Sequence, residues 1–362
     1  MGKYKVVVYA ITKNEEKFVD RWMDSMSEAD EIIVTDTGSD DETAARLRER
    51  GAVVYVETFN PWRFDTARNA SLAHVPEDAD ICVCTDLDEV FTPGWRDTLE
   101  RGWREDVNMA NYLFNWMLNP DGTPHTQLTY FKIHRRNDYE WACPIHEYLR
   151  YIGTLPERKV FIEGLVLNHY PDPNKSRSSY LPLLQMAVAE DPAGDRMSYY
   201  LGREYMYAGR WEDCIRELKR YLKLPTAWWA DERCAAMRWI AKSCYELGWK
   251  KESYHWFYRA IAEVPDMRDA YVECAQMAYH EKDWITELFM ADTALKIKEK
   301  SSGFINQGYA WDHTPDDLAA IACYWLGLYE KGLYHAEKAL SMKPDDERMQ
   351  RNVQFMKDKI DR

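Results

Sequence analysis

The sequence is short of the features that mark several large protein classes. In 362 residues no run approaches 18 uncharged apolar residues, so no segment reads as a membrane-spanning helix. The opening Met1-Gly2-Lys3-Tyr4-Lys5 leads straight into a strand pattern and lacks the apolar stretch of a secretory leader. The eight cysteines contain no Cys-x-x-Cys pair. Most of them stand in apolar strand or helix patterns, where a free thiol behaves as a small hydrophobe, and a reducing, cytoplasmic setting is the expectation. A basic excess is also missing. The formal charge of −14 argues against general nucleic-acid binding, which needs a basic face. Nor does a glycine-rich phosphate loop follow the first strand pattern. Thr12-Lys13-Asn14-Glu15 stands there instead, which counts against nucleotidyl transfer.

What is present falls into two halves with different periods. Residues 1 to about 170 alternate strand signals (5–11, 31–35, 52–56, 81–85) with helix signals (15–26, 41–50, 68–74). Asp40 reads as the N-cap of the second helix. This alternation predicts a parallel sheet covered on both faces. From about residue 182 no strand pattern is convincing. Aromatic-rich helical pairs follow one another instead, joined at Gly209, Gly248, Lys282 and Gly327, with separations of 39, 34 and 45 residues. Those separations scatter around the 34 residues of a tetratricopeptide repeat. Residues 197–345 resemble such repeats in degenerate form, with Lys282 in place of a turn glycine and Gly332 where alanine is usual. Residues 347–360 read as the capping helix that stacked repeats need over their last apolar face. Aromatic residues at helical spacing here are core rather than ligand cage.

The most informative stretch is Asp86-Leu87-Asp88-Glu89, directly after the apolar run Ile81-Cys82-Val83-Cys84. Carboxylates at the end of a buried strand lie where open α/β sheets bind ligands. Hard oxygen donors there suit Mg²⁺ or Mn²⁺, with substrate phosphates completing the shell. Three further segments stand in register with it. Thr12-Lys13-Asn14-Glu15-Glu16 follows the first strand, Asp36-Thr37-Gly38-Ser39-Asp40 follows the second, and Phe64-Asp65-Thr66-Ala67-Arg68-Asn69 opens a helix. In this order and spacing the four segments resemble the family 2 glycosyltransferases, across about residues 5–170. Phe131-Lys132-Ile133-His134-Arg135-Arg136 and Pro144-Ile145-His146-Glu147-Tyr148 continue the match.

The resemblance implies a GT-A fold, a nucleotide-diphosphate sugar as donor (most simply UDP-linked) and a divalent cation. It implies that Asp36 accepts a hydrogen bond from the base and that Thr12 faces the base. Asp86 would meet the ribose, and Asp88 and His169 would hold the metal. Arg68 and Arg135, with Arg136, would contact base or phosphate. Glu147 is implied as the base that takes the acceptor proton, with His146 beside it orienting it or touching the pyrophosphate. Each residue also has a plainer structural reading: Asp36 as a turn residue, Arg68 as an ion-pair partner, His146–Glu147 as a buried pair. Glu89 reads as a helix cap or supporting residue, and Asn69 as a turn former. One departure concerns Arg63, where relatives usually carry Asp, which bears on the geometry of that loop. The expectation is therefore an α/β GT-A domain over 1–175 and an all-α tetratricopeptide-like domain over 180–362. Together they would form a metal-dependent inverting hexosyltransferase acting on a peptide, protein or glycan, with dimerisation through the repeats as one use of the second domain. The competing expectation is a non-catalytic scaffold built on a degenerate transferase domain.

Overall fold

The computed structural model describes residues 2–173, 178–301 and 305–361, and the chain divides into two compact units, 1–187 and 188–362. The strands of the first unit are β1 (Val6–Thr12), β2 (Glu31–Asp36), β3 (Val53–Val56), β4 (Ile81–Cys84), β5 (Glu89–Phe91), β6 (Met109–Leu118), β7 (Pro124–His134), β8 (Tyr139–Ala142), β9 (Tyr148–Tyr151) and β10 (Lys159–His169). Its helices are α1 (Val19–Met26), α2 (Thr43–Glu49), α3 (Phe64–Ala73) and α4 (Trp95–Gly102). Eight strands form one sheet in the order β3-β2-β1-β4-β7-β6-β10-β5, and β8 pairs with β9 in a small hairpin.

The sheet is mixed, which corrects the parallel sheet expected from the alternation. β3, β2, β1 and β4 are parallel, β7 runs antiparallel to both β4 and β6, and β5 runs antiparallel to β10. The strand–helix alternation extends only as far as β4; beyond it β6 returns directly into β7 through a short turn at Gly122 (φ +83°), with no crossover helix. The central strands are buried on both faces, hence their near-continuous apolar runs. Val6, Val8, Ile81 and Val83 face a core built around Trp22, Trp95 and Phe91. Val7, Tyr9, Cys82 and Cys84 face a second core with Trp141 and Tyr139. Two local expectations also change. Asp40 does not cap α2; Asp41 accepts from Thr43 N and Thr43 Oγ1 there. Asn69 forms no turn but clips α3 to β8, its amide bonding both Trp141 N and Trp141 O at 2.8 Å.

α5 (Tyr180–Glu190) spans the division between the units. The second unit consists of α6 (Asp195–Tyr207), α7 (Trp211–Tyr221), α8 (Ala230–Glu246), α9 (Lys250–Glu263), α10 (Arg268–Glu281), α11 (Trp284–Lys296), α12 (Thr314–Trp325), α13 (Tyr329–Met342) and α14 (Glu347–Ile360). Short turns make α6/α7, α8/α9, α10/α11 and α12/α13 antiparallel neighbours. All four turns place one residue in the left-handed region: Gly209, Gly248, Gly327 and, at φ +57°, Lys282. Among the described residues no helix is long and apolar enough to cross a membrane.

Candidate active site

The parallel register sets the site. β1 pairs with β2 so that Thr12 and Asp36 are partners at the carboxyl ends of both strands, and β4 delivers Asp86 to the same end of the sheet. Asp36 is 1% exposed. Its Oδ1 accepts from Gly38 N and Ser39 N at 2.8 Å, closing a turn that needs Gly38 at φ +103°. Its buried Oδ2 has no hydrogen-bond partner among the described residues, so one acceptor remains at a position where leaving it unmade is costly. Thr12 is occupied on both sides. Its hydroxyl donates to Glu15 Oε2 at 2.9 Å, and its carbonyl accepts from Thr37 N and Thr37 Oγ1.

Arg68, on the first turns of α3 and 3% exposed, is the hub. Its Nη2 donates to Asp86 Oδ1 at 2.7 Å, its Nε to Glu147 Oε1 at 2.6 Å, and its Nη1 to Cys84 Sγ at 3.3 Å. The guanidinium also lies 5.0 Å from the Trp141 ring centre. Burial opposes its charge, but Asp86, Cys84 and Glu147 more than compensate and hold it firmly protonated. Glu147 and His146 sit on the turn after β8, where Cys143 (φ +80°) and His146 (φ +52°) adopt left-handed backbone that side chains other than glycine tolerate poorly. That turn is tied back to the start of α3 by Phe64 N donating to Pro144 O at 3.0 Å. Arg63, the residue that departs from the resembled pattern, forms a two-pronged pair with Asp65 at 3.0 and 2.8 Å.

Asp88 and His169 meet because β5 and β10 pair antiparallel with Glu89 opposite His169. His169 Nε2 lies 3.4 Å from Asp88 Oδ2. His169 Nδ1 is 3.1 Å from Trp116 O. A hydrogen bond from Nδ1 to that carbonyl leaves Nε2 as the nitrogen facing Asp88. The Trp116 ring stacks on the imidazole at 4.6 Å and 22°. Burial lowers the proton affinity of His169, but the hydrogen bond and charge of Asp88 outweigh it, and the net shift is upward. Among the described residues no three His, Cys, Asp or Glu side chains converge on one metal position. A carboxylate and an imidazole facing the same space fit half of a divalent-cation site, of the kind that substrate phosphates complete.

Residues 7–148 match the family described as Glycosyl transferase family 2. The first unit carries a family 2 glycosyl transferase domain. Solved structures also resemble this chain. They include a MamA crystal structure (20% identity, 48% of this chain and 96% of that chain, TM-score 0.38) and MamA 41-end from Desulfovibrio magneticus RS-1 (15%, 46% and 85%, 0.37). A third is the yeast Tom70 crystal structure (15%, 51% and 37%, 0.38). The second unit is all-helical, a succession of antiparallel helix pairs.

Two features of the transferase domain differ from the sequence expectation. Arg135 is not at the site. β7 opposes β4 with His134 facing Cys82, so Arg135 lies toward the amino end of β4, about 10 Å of strand from the level of Cys84. There its Nε donates to Val107 O at 2.8 Å, and Arg136 Nε donates to Val75 O at 3.0 Å. The cation that β7 does bring to the acids is Lys132, 3.1 Å from Asp86 Oδ2 and 3.5 Å from Glu89 Oε1. The register slips between Ala110/Ile133 and Tyr112/Tyr130, placing an extra residue in β7 beside Lys132, and bulges re-aim side chains in this way next to active sites. A lone lysine inside an apolar strand run was the available signal, since buried lysines need partners. Glu89 caps no helix. It is a buried strand residue whose Oε2 accepts from Asp86 N at 2.9 Å, and burial, against the pull of Lys132, pushes its carboxyl up to about 7.

Proposed function

We propose that the transferase domain binds a UDP-linked sugar with Mg²⁺ or Mn²⁺ and passes the sugar, with inversion, to an acceptor hydroxyl or thiol of a peptide, protein or glycan. The observation that carries this reading is the convergence of Asp36, Asp86, Arg68, Glu147 and the Asp88–His169 pair at the carboxyl end of one sheet. In this reading the spare Asp36 oxygen accepts the base N–H, an interaction that a base without that donor leaves unmade. Asp86, held between Arg68 and Lys132 with its carboxylate partly open, meets the ribose hydroxyls. Asp88 and His169 would hold the cation, which when bound neutralises charge on the diphosphate leaving group.

Glu147 takes the proton from the acceptor as its oxygen or sulfur bonds to the anomeric carbon and the bond from that carbon to the diphosphate oxygen breaks. The electron pair of the broken bond stays on the diphosphate. Arg68 and Lys132 keep the surrounding carboxylates from repelling that product. The helical unit would present the acceptor. The test is a thermal-shift series with UDP, GDP and UDP-sugars, each with and without Mn²⁺. A UDP compound with Mn²⁺ is expected to raise the melting temperature by mass action, and Asp88→Ala to abolish the Mn²⁺-dependent part. No stabilisation by any UDP compound would refute the donor assignment. Binding without any sugar release or transfer would favour the non-catalytic scaffold.

A further inference from the structure

We infer that Arg68 is a positioning residue that couples nucleotide binding at Asp86 to the release of Glu147, an inference that rests on the donor and base assignments above. One planar guanidinium, 3% exposed, satisfies three separate groups through its three nitrogens: Asp86, Glu147 and Cys84. Its fork is rigid, so it cannot follow one carboxylate without loosening its hold on the other. Glu147 is nearly buried (side chain 12% exposed), whereas Asp86 keeps a side chain 30% exposed. Asp86 is therefore the open end of the clamp and Glu147 the closed end.

The oxygen of Glu147 that bonds Arg68 is held in a 2.6 Å ion pair. While that oxygen is engaged by the guanidinium it is not free to take a hydrogen bond from an acceptor hydroxyl or thiol. The turn that carries it is strained at Cys143 and His146, and this ion pair joins the hydrogen bond from Phe64 in fixing its position. An anionic nucleotide entering beside Asp86 competes for the same guanidinium. As Arg68 turns toward it, Glu147 is freed and the site becomes competent for an acceptor. By linkage the effect is reciprocal: the grip of Glu147 on Arg68 weakens nucleotide binding by the factor by which nucleotide weakens that grip.

The experiment is calorimetric titration of UDP in excess Mn²⁺ into full-length wild type, Glu147→Gln, Glu147→Asp, Arg68→Lys and the Arg68→Lys/Glu147→Gln double variant, each checked by its melting curve. Glu147→Gln is expected to tighten UDP binding about fivefold or more, the low end of ordinary site-to-site coupling. Glu147→Asp keeps the charge but shortens the reach to Arg68, and should tighten binding similarly. In the Arg68→Lys background the Glu147→Gln effect should fall below about twofold, the non-additivity of groups that share a partner. An equal effect of Glu147→Gln in both backgrounds, or a Glu147→Asp variant that binds like wild type, overturns the coupling while leaving the donor reading intact. If wild type itself takes up no UDP, the donor reading falls and the inference with it. Should Arg68→Lys not fold, the Glu147→Asp comparison decides alone.

Discussion

Glu287 offers a quantitative test of how the helical unit tolerates a buried acid. It lies on α11, is fully buried, and neither carboxylate oxygen has a hydrogen-bond partner among the described residues. Burial, then the charges of Asp317 and Asp283, push its carboxyl from 4.5 up to about 8. Neither neighbour relieves it: Asp317 is taken up by Arg348 at 2.9 Å, and Asp283 caps α11 through Thr286 N. The folded state therefore binds the proton more tightly than the unfolded chain. The stability this proton supplies is complete below about pH 4.5, drains away as pH rises toward 8, and is gone above it. Each pH unit inside that window removes at most about 1.4 kcal/mol, so the whole window is worth roughly 3–5 kcal/mol. Glu287→Gln keeps the shape without the charge. At pH 5 it should melt close to wild type, and at pH 9 it should melt about 10 °C higher, at the 2–4 °C per kcal/mol usual for a unit of this size. The general repulsion of a chain with charge −14 acts on both proteins and cancels in the difference. Melting curves by circular dichroism at the two pH values provide the assay. A difference between variant and wild type that is the same at pH 5 and pH 9 would refute the reasoning.

Three further outcomes are expected. Arg135→Ala removes the one side-chain hydrogen bond that Arg135 makes among the described residues, to Val107 O, so it should cost about 1–2 kcal/mol in urea unfolding and leave UDP–Mn²⁺ affinity within about twofold; a tenfold loss of affinity would return Arg135 to the site. Lys282→Gly relieves a side chain held at φ +57° and should stabilise the helical unit by about 0.5–1 kcal/mol, read as a higher urea midpoint at unchanged slope. Tyr309→Phe deletes a hydroxyl bonded to Glu273 and lying 3.4 Å from Lys242 Nζ. Because Glu273 also anchors Arg238 at 1% exposure, the loss should be about 1–2 kcal/mol, and a change under a few tenths would show that the network does not depend on the hydroxyl.

The sequence carried local information well and long-range information unevenly, and the reason is physical. A strand buried on both faces needs an unbroken apolar run, so β1 and β4 are visible as runs. The left-handed turns between helix pairs need glycine or a residue that bears strain, so Gly209, Gly248 and Gly327 mark the pairs and Lys282 stands out as the exception. The helix 347–360 coincides with α14 because its apolar face recurs at helical spacing and Asp346 caps it by accepting from Arg348 N and Met349 N. None of these features requires knowing what lies across the sheet.

The site was legible where the acids end their own strands, and illegible where a partner strand sets the register. Asp36 and Asp86 follow from β2 and β4 alone. Which cation reaches Asp86 depends on β7 running antiparallel to β4 and on one extra residue in β7. A shift of one residue in a strand reverses every side chain from one face to the other. Without the reversal and the bulge, Arg135 is the natural choice; with them, Lys132 points at the acids and Arg135 ends at the opposite edge of β4. The same logic explains Glu89. Nothing in Asp-Leu-Asp-Glu distinguishes a helix cap from a buried strand acid until β5 pairs with β10 and draws His169 in beside Asp88. The chemistry at the carboxyl edge is therefore fixed by two pairing choices, β4 with β7 and β5 with β10. A change that slipped either register would dismantle the acid cluster even with every acidic side chain in place.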